Sequence, residues 1–248
     1  MKDSAKKIFL RLLLIAIPFA ILFFVCIEFI LPPIAVNSIE DTLKKSMQTD
    51  NVTFTVETTP RFLITFGRLD EAHAEIVNGK ISGFPMSLMN IDFKHTVMDF
   101  EKFFLEGRVI FSDDDIFVKS VINEENLREF IETKLPDWKL DKFQIKDVKI
   151  NSDAIRISGS YPMFNQSIDV NIAGTLEIEN GSLFVKMSSL NVNSPIMRQA
   201  NIDSIPQQLK ILDSENLMYG LQLKNVELRD GSILLEAEKL EAKNLEAK

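Results

Sequence analysis

The most regular feature of the chain is a repeated pattern of apolar positions. Phe143, Ile145, Val148, Ile150, Ile155 and Ile157 recur as Leu221, Leu223, Val226, Leu228, Ile233 and Leu235, each displaced by 78 residues. Gln144 and Lys146 recur as Gln222 and Lys224 at the same displacement. In both copies the apolar parity switches once, between the second and third members. One extra residue in a strand moves every later side chain to the opposite face, so the switch predicts a β-bulge.

The second half of each copy predicts a hairpin. With Ser152-Asp153 in the loop, Ile150 faces Ile155 and Val148 faces Ile157. With Asp230-Gly231 in the loop, Leu228 faces Ile233 and Val226 faces Leu235. Asn180-Gly181 sets Ile178 opposite Leu183 and Leu176 opposite Val185, and Asn-Gly and Asp-Gly favour the tight turns that join twisted strands. Asn78-Gly79 predicts a fourth turn, with Ile76 facing Ile81. Each hairpin has one apolar face that must be buried against something.

Other segments fill in the outline. Val52, Phe54 and Val56 alternate with Thr53, Thr55 and Glu57, as a half-buried strand does. Val36, Ile39, Leu43 and Met47 share a helical face. Asn123 is placed to cap a helix carrying Leu127, Phe130, Ile131 and Leu135, closed by Pro136. A short helix is expected near Ser204-Ile205-Pro206, carrying Leu209 and Leu212. Asp113-Asp114-Asp115 would join strands Val109–Phe111 and Phe117–Val121. Phe84-Pro85-Met86, Tyr161-Pro162-Met163 and Pro195-Ile196-Met197 are candidate turns with apolar tips.

The N-terminus is of another kind. Leu12 to Ile27 is 16 residues without a charge, and Ile8 to Leu31 gives 24 residues broken only by Arg11 and Glu28. A helix of that length spans about 36 Å, enough to cross a hydrocarbon core of about 30 Å. Pro32-Pro33 should end it. A cleaved signal peptide is the alternative, but no small-x-small site follows; the nearest, Pro33-Ile34-Ala35, begins with proline. Lys2, Lys6, Lys7 and Arg11 precede the span against Asp3 alone, so the positive-inside rule predicts a cytoplasmic N-terminus. The expected organisation is a cytoplasmic stub and anchor at 1–31, an extracytoplasmic domain at 32–237 and a charged tail at 238–248.

Composition narrows the function. Beyond residue 31 there are 24 Lys and Arg against 34 Asp and Glu, which disfavours nucleic acid as a partner. The sole cysteine, Cys26, lies in the apolar run, so no intrachain disulfide is possible. His73 and His95 are the only imidazoles and stand in no nucleophile motif. Asp113–Asp115 lacks the ligand spacing and glycine of an EF-hand, and the nine glycines form no phosphate loop. No cofactor, metal or catalytic residue is expected. Fourteen of 19 Phe and eight of nine Met lie outside the stub and anchor, a composition suited to apolar surface without polar tips.

The order of segments carries a family resemblance. It runs from the anchor through Leu31-Pro32-Pro33, an amphipathic helix, an alternating strand and Phe66-Gly67 to a helix ending at Leu135-Pro136. Paired hairpins follow, then Gly220-Leu221-Gln222-Leu223-Lys224-Asn225-Val226 before a terminal Asp-Gly turn. Over most of residues 31–237 this resembles the LmeA-like family of bacterial phospholipid-binding proteins. The resemblance implies a TULIP-like α+β fold, in which a long curved antiparallel sheet built of hairpins wraps one or more helices and encloses an apolar groove. It implies a place in the cell envelope and a role in lipid or glycolipid assembly or transfer.

The leading expectation is therefore an anchored extracytoplasmic protein that holds a phospholipid or lipid-linked intermediate by its acyl chains. Phe54, Val56, Ile91, Phe93, Ile145, Val148, Ile172 and Leu223 are the candidate lining residues. The alternatives are a structural or interaction module of the envelope with no ligand cavity, and an enzyme acting on envelope glycolipid through a close carboxylate pair.

Overall fold

A computed structural model describes residues 2–81, 83–99, 116–136, 142–163, 166–193, 208–217 and 220–239. It opens on unbroken helix. α1 (Lys2–Val25) passes through a π-helical segment, Cys26–Ile30, into α2 (Leu31–Met47). The expected stop at Pro32-Pro33 does not occur. The prolines follow directly on the π turn, in which Leu31 N–H bonds back to Cys26 O, and the helix continues through them into α2. Most apolar side chains from Leu14 to Ile34 are exposed along this helix, which is long and apolar enough to span a membrane. Beyond them Ala35, Ile39, Leu43 and Met47 are buried, so α2 belongs to the folded domain as much as to the span.

The strands form two antiparallel sheets. The first contains β1 (Val52–Glu57), β2 (Arg68–Ile81), β3 (Phe84–Val97), β4 (Ile116–Asn123), β10 (Leu221–Arg229) and β11 (Ser232–Lys239), in the order β1-β2-β3-β4-β11-β10. The second runs in sequence order: β5 (Gln144–Ile150), β6 (Ile155–Met163), β7 (Gln166–Glu179), β8 (Ser182–Val192) and β9 (Gln208–Leu212). A helix, α3 (Glu124–Lys134), and the whole second sheet thus lie between β4 and β10 in the chain. The α+β expectation holds at this level, with two large sheets where one long sheet was expected.

The repeated hairpins form as their pattern predicts. Ile150 pairs with Ile155 and Val148 with Ile157; Leu228 pairs with Ile233 and Val226 with Leu235. The register shifts once in each copy, between Ile145 and Asp147 and between Leu223 and Asn225, so Lys146 and Lys224 are the extra residues. Asn180-Gly181 makes the third predicted turn, with Ile178 opposite Leu183 and both loop residues at positive φ.

Two expectations are corrected. Asn78-Gly79 is not a turn: Ile76 pairs with Met89, Ile81 pairs with Phe84, and β2 continues to Ile81. Asn78 takes a left-handed φ of 54° inside the strand, and Gly79 lies beneath Met47 and Ile76, where a Cβ would come within 2.8 Å of Ile76 Cγ2. Leu209 and Leu212 lie in strand β9, held by pairing with β8. Phe117–Val121 lies in β4, which pairs with β3 on one edge and β11 on the other; Val109–Phe111, its expected hairpin partner, is outside the described residues. Residues 109–115, 195–197, 204–206 and 240–248, on which other expectations fell, are outside the described residues.

The core is continuous. α2 packs over β1 and β2, and the ring of Phe84 at the start of β3 packs at a tilt of 54° against that of Phe130 of α3, with centroids 4.4 Å apart. Phe84 and Met86 are both buried, so this proline segment is no exposed tip. The sheets join end to end through backbone groups. Gly231 N–H bonds to Ile150 O at 2.8 Å, and Leu223 N–H to Gly181 O at 3.2 Å.

Candidate functional site

The candidate site lies between α3 and the inner face of the second sheet. β7 shows how sequence builds that face. Ile168, Val170, Ile172, Gly174, Leu176 and Ile178 alternate with Ser167, Asp169, Asn171, Ala173, Thr175 and Glu177, so one side of the strand is apolar over its length. Register extends the face across the sheet: Val148, Ile157, Ile172 and Leu190 stand in one row. Ile157, Ile172, Leu176 and Leu190 are only half-buried.

α3 is set above this face by its N-terminus. Asn123 Oδ1 accepts from Asn126 N–H at 2.8 Å, and the Asn126 side chain accepts from Asn123 N–H in return. Glu124 accepts from Ile150 N–H at 3.0 Å, tying the helix to the end of β5. That hydrogen bond, with the Lys149 ammonium beside it, holds the Glu124 carboxyl below its usual range against the opposing effect of desolvation. The helix face so directed carries Leu127, Phe130 and Ile131, all buried.

Leu127 and Ile131 line a recess with Ile155, Ile157, Gly174, Val185, Leu209 and Ile211. Its volume is about 40 Å³. Gly174 forms part of the wall because no side chain fits there: a Cβ would lie 2.8 Å from Lys186 O, at the register shift between β7 and β8. Every side chain of the lining is hydrocarbon. Charge is kept to the opposite face, where the Lys186 ammonium bonds Glu177 and Glu179 and is itself pushed up by them.

The eight residues expected to line a groove fall into three groups. Phe54, Val56, Ile91 and Phe93 make one patch across β1 and β3, with the Phe54 and Phe93 rings edge-on at 6.3 Å. Ile145, Val148 and Ile172 lie on the second sheet, and Leu223 lies on β10 at the junction. Phe54, Ile91, Phe93, Ile145, Val148 and Leu223 are buried; Val56 and Ile172 are half-buried. Val148 and Ile172 border the recess as the two register partners of Ile157. The recess residues on α3 and β8 were visible as apolar periodicity, whereas Leu209 and Ile211 were hidden by the helical assignment of their segment.

A second hollow of about 190 Å³ lies on the outer face of the first sheet, around Thr55, Glu57, Glu71, His73, Asp92 and Lys94. His73 Nδ1 and Asp92 Oδ1 are 2.8 Å apart there, and Glu57 stands opposite Glu71. These are cross-strand pairs on an exposed sheet face, with half-exposed side chains and nothing to exclude water. Among the described residues no group of His, Cys, Asp and Glu could hold a metal ion.

No family model, curated protein or solved structure matches the chain. The functional argument therefore rests on the span, the recess and the face around it.

Proposed function

We propose that the chain is a membrane-anchored, extracytoplasmic lipid-binding protein of the cell envelope, which holds an acyl chain of a phospholipid or lipid-linked intermediate against the inner face of the second sheet. The observation that carries this reading is the recess between α3 and β6–β9, with its wholly hydrocarbon lining. Each methylene that leaves water there gains about 0.8 kcal/mol. The charge bias of Lys2, Lys6, Lys7 and Arg11 supports a cytoplasmic N-terminus, with the sheets outside. Participation in envelope lipid or glycolipid assembly belongs to the same proposal, and no catalytic step is assigned.

The recess as it stands is smaller than the ~300–1,000 Å³ of ordinary ligand sites. An acyl chain enters by moving β9 away from α3. β9 is the five-residue edge strand of its sheet, held by one ladder that carries a register shift. The full chain in detergent, examined by native mass spectrometry, should retain phospholipid more strongly than its Leu209→Glu variant. Equal retention by the two would contradict the proposal.

One observation favours a second reading, an interaction module without a ligand. The burial of Phe54, Ile91, Phe93, Ile145, Val148 and Leu223 shows that much of the apolar surface is spent on the core itself.

A further inference from the structure

The turn Arg61–Phe66 is a single stretch of 3-10 helix between β1 and β2, and it is tied directly to the apolar helix. Glu28 is the only carboxylate in the span. Its Oε1 accepts from Arg61 N–H and its Oε2 from Phe62 N–H, both at 3.1 Å. Two backbone donors thus supply in part the solvation that an anion loses in an apolar setting. The same bonds fix the height of the turn. Glu28 lies 14 residues beyond Leu14, about 21 Å along the helix. Exposed apolar side chains continue past it to Ile34, about 9 Å further. The turn is therefore level with the last part of the exposed apolar band.

Its side chains suit that position. Ile64 is buried and anchors the turn from within. Phe66 is 67% exposed, with Phe62 edge-on to it at 6.2 Å. Val97, opposite Arg68 where β2 and β3 begin and end, is 42% exposed. Gly67 closes the turn in the left-handed region, φ 87°, with its N–H bonded to Ile64 O at 3.0 Å. Arg61 and Arg68 flank the apolar residues and are both exposed. Phe side chains on an apolar surface flanked by basic residues are what segments seated in a membrane surface carry.

We infer that the Arg61–Phe66 turn is a second membrane contact, in which Phe62, Phe66 and Val97 enter the same bilayer that α1 crosses, on the side of the folded domain. The bilayer is the occupant because the turn packs directly against the Cys26–Ile30 segment of the span, where Phe29 and Ile30 are themselves exposed. The domain is then seated on the membrane surface at a fixed angle by three elements: the helix, the Glu28 bonds and the turn. This inference needs only that α1 spans a membrane. It stands or falls separately from lipid binding in the recess.

The test uses the full chain with Cys26→Ser, reconstituted in nanodiscs of phosphatidylcholine and phosphatidylglycerol, with one spin label at a time. Labels go at Phe66→Cys, Val97→Cys and Glu75→Cys, the last being an exposed position on β2 about 26 Å along the strand from Gly67. Collisions with a water-soluble nickel chelate should be lost at 66 and 97 and kept at 75, while collisions with oxygen persist at all three. Nickel access at 66 and 97 equal to that at 75 would overturn the inference. So would loss of both kinds of collision at 66 and 97, which would place the patch against protein.

Discussion

Ser152 N–H donates to Asp230 Oδ1 at 3.1 Å, and these two residues stand 78 apart, at the same place in the two copies of the repeated hairpin. The loops of the two copies thus touch each other. One lies in each sheet, so the pattern that repeats in sequence also joins the sheets. Gly231 N–H to Ile150 O completes the junction. Removing the acceptor by Asp230→Ala should speed hydrogen exchange at the Ser152 amide, with the register of each hairpin kept. Unchanged protection of that amide would show that the loops do not depend on the contact.

Acid should weaken the seat of α3. The Glu124 carboxyl is held below its ordinary value of 4.5 by the Ile150 N–H, with Lys149 adding to the effect. A carboxyl with a depressed folded pKa stabilises the fold fully above 4.5, and that contribution is lost as pH falls through the folded value. Denaturant midpoints measured from pH 7 down to pH 3 should fall more steeply for the natural chain than for Glu124→Gln.

The helix cap is open to a simpler test. Asn123→Ala removes one half of the reciprocal pair with Asn126 and should cost about 1 kcal/mol in chemical denaturation.

Gly159 has no room for a side chain. A Cβ there would meet Gln144 O at 2.6 Å and also run into the Phe143 ring, so Gly159→Ala should destabilise the chain by about 1–3 kcal/mol.

Ile39 tests whether α2 is part of the domain. It is fully buried, and Ile39→Ala should cost about 2–5 kcal/mol by leaving a cavity beneath the helix. A flexible tether between span and sheets would lose almost nothing by the same change.

What could be read in advance follows from how local each cause is. The bulges at Lys146 and Lys224 and the turns at Ser152-Asp153, Asn180-Gly181 and Asp230-Gly231 were legible because parity and turn chemistry act over a few residues. Asn78-Gly79 misled because asparagine adopts positive φ without turning the chain, and the packing of Met47 on Gly79 comes from a distant helix. The pairing of β4 with β11 was not legible at all, since alternation fixes which face is buried and says nothing about which strand lies alongside. Of the site, Leu127, Ile131 and Val185 were visible as apolar periodicity. Their meeting with Leu209 and Ile211 depends on non-local pairing of β9, which no local pattern announced.

The central claim is that an acyl chain lies between α3 and the second sheet. Photo-crosslinking tests it most directly, with the full chain in nanodiscs containing a phospholipid that carries a diazirine near the end of one acyl chain. Mass spectrometry of the digest should find labelled peptides from α3, β8 and β9, around Ile131, Val185 and Leu209, as well as from the span. Label confined to the apolar helix and the Arg61–Phe66 turn would contradict the claim.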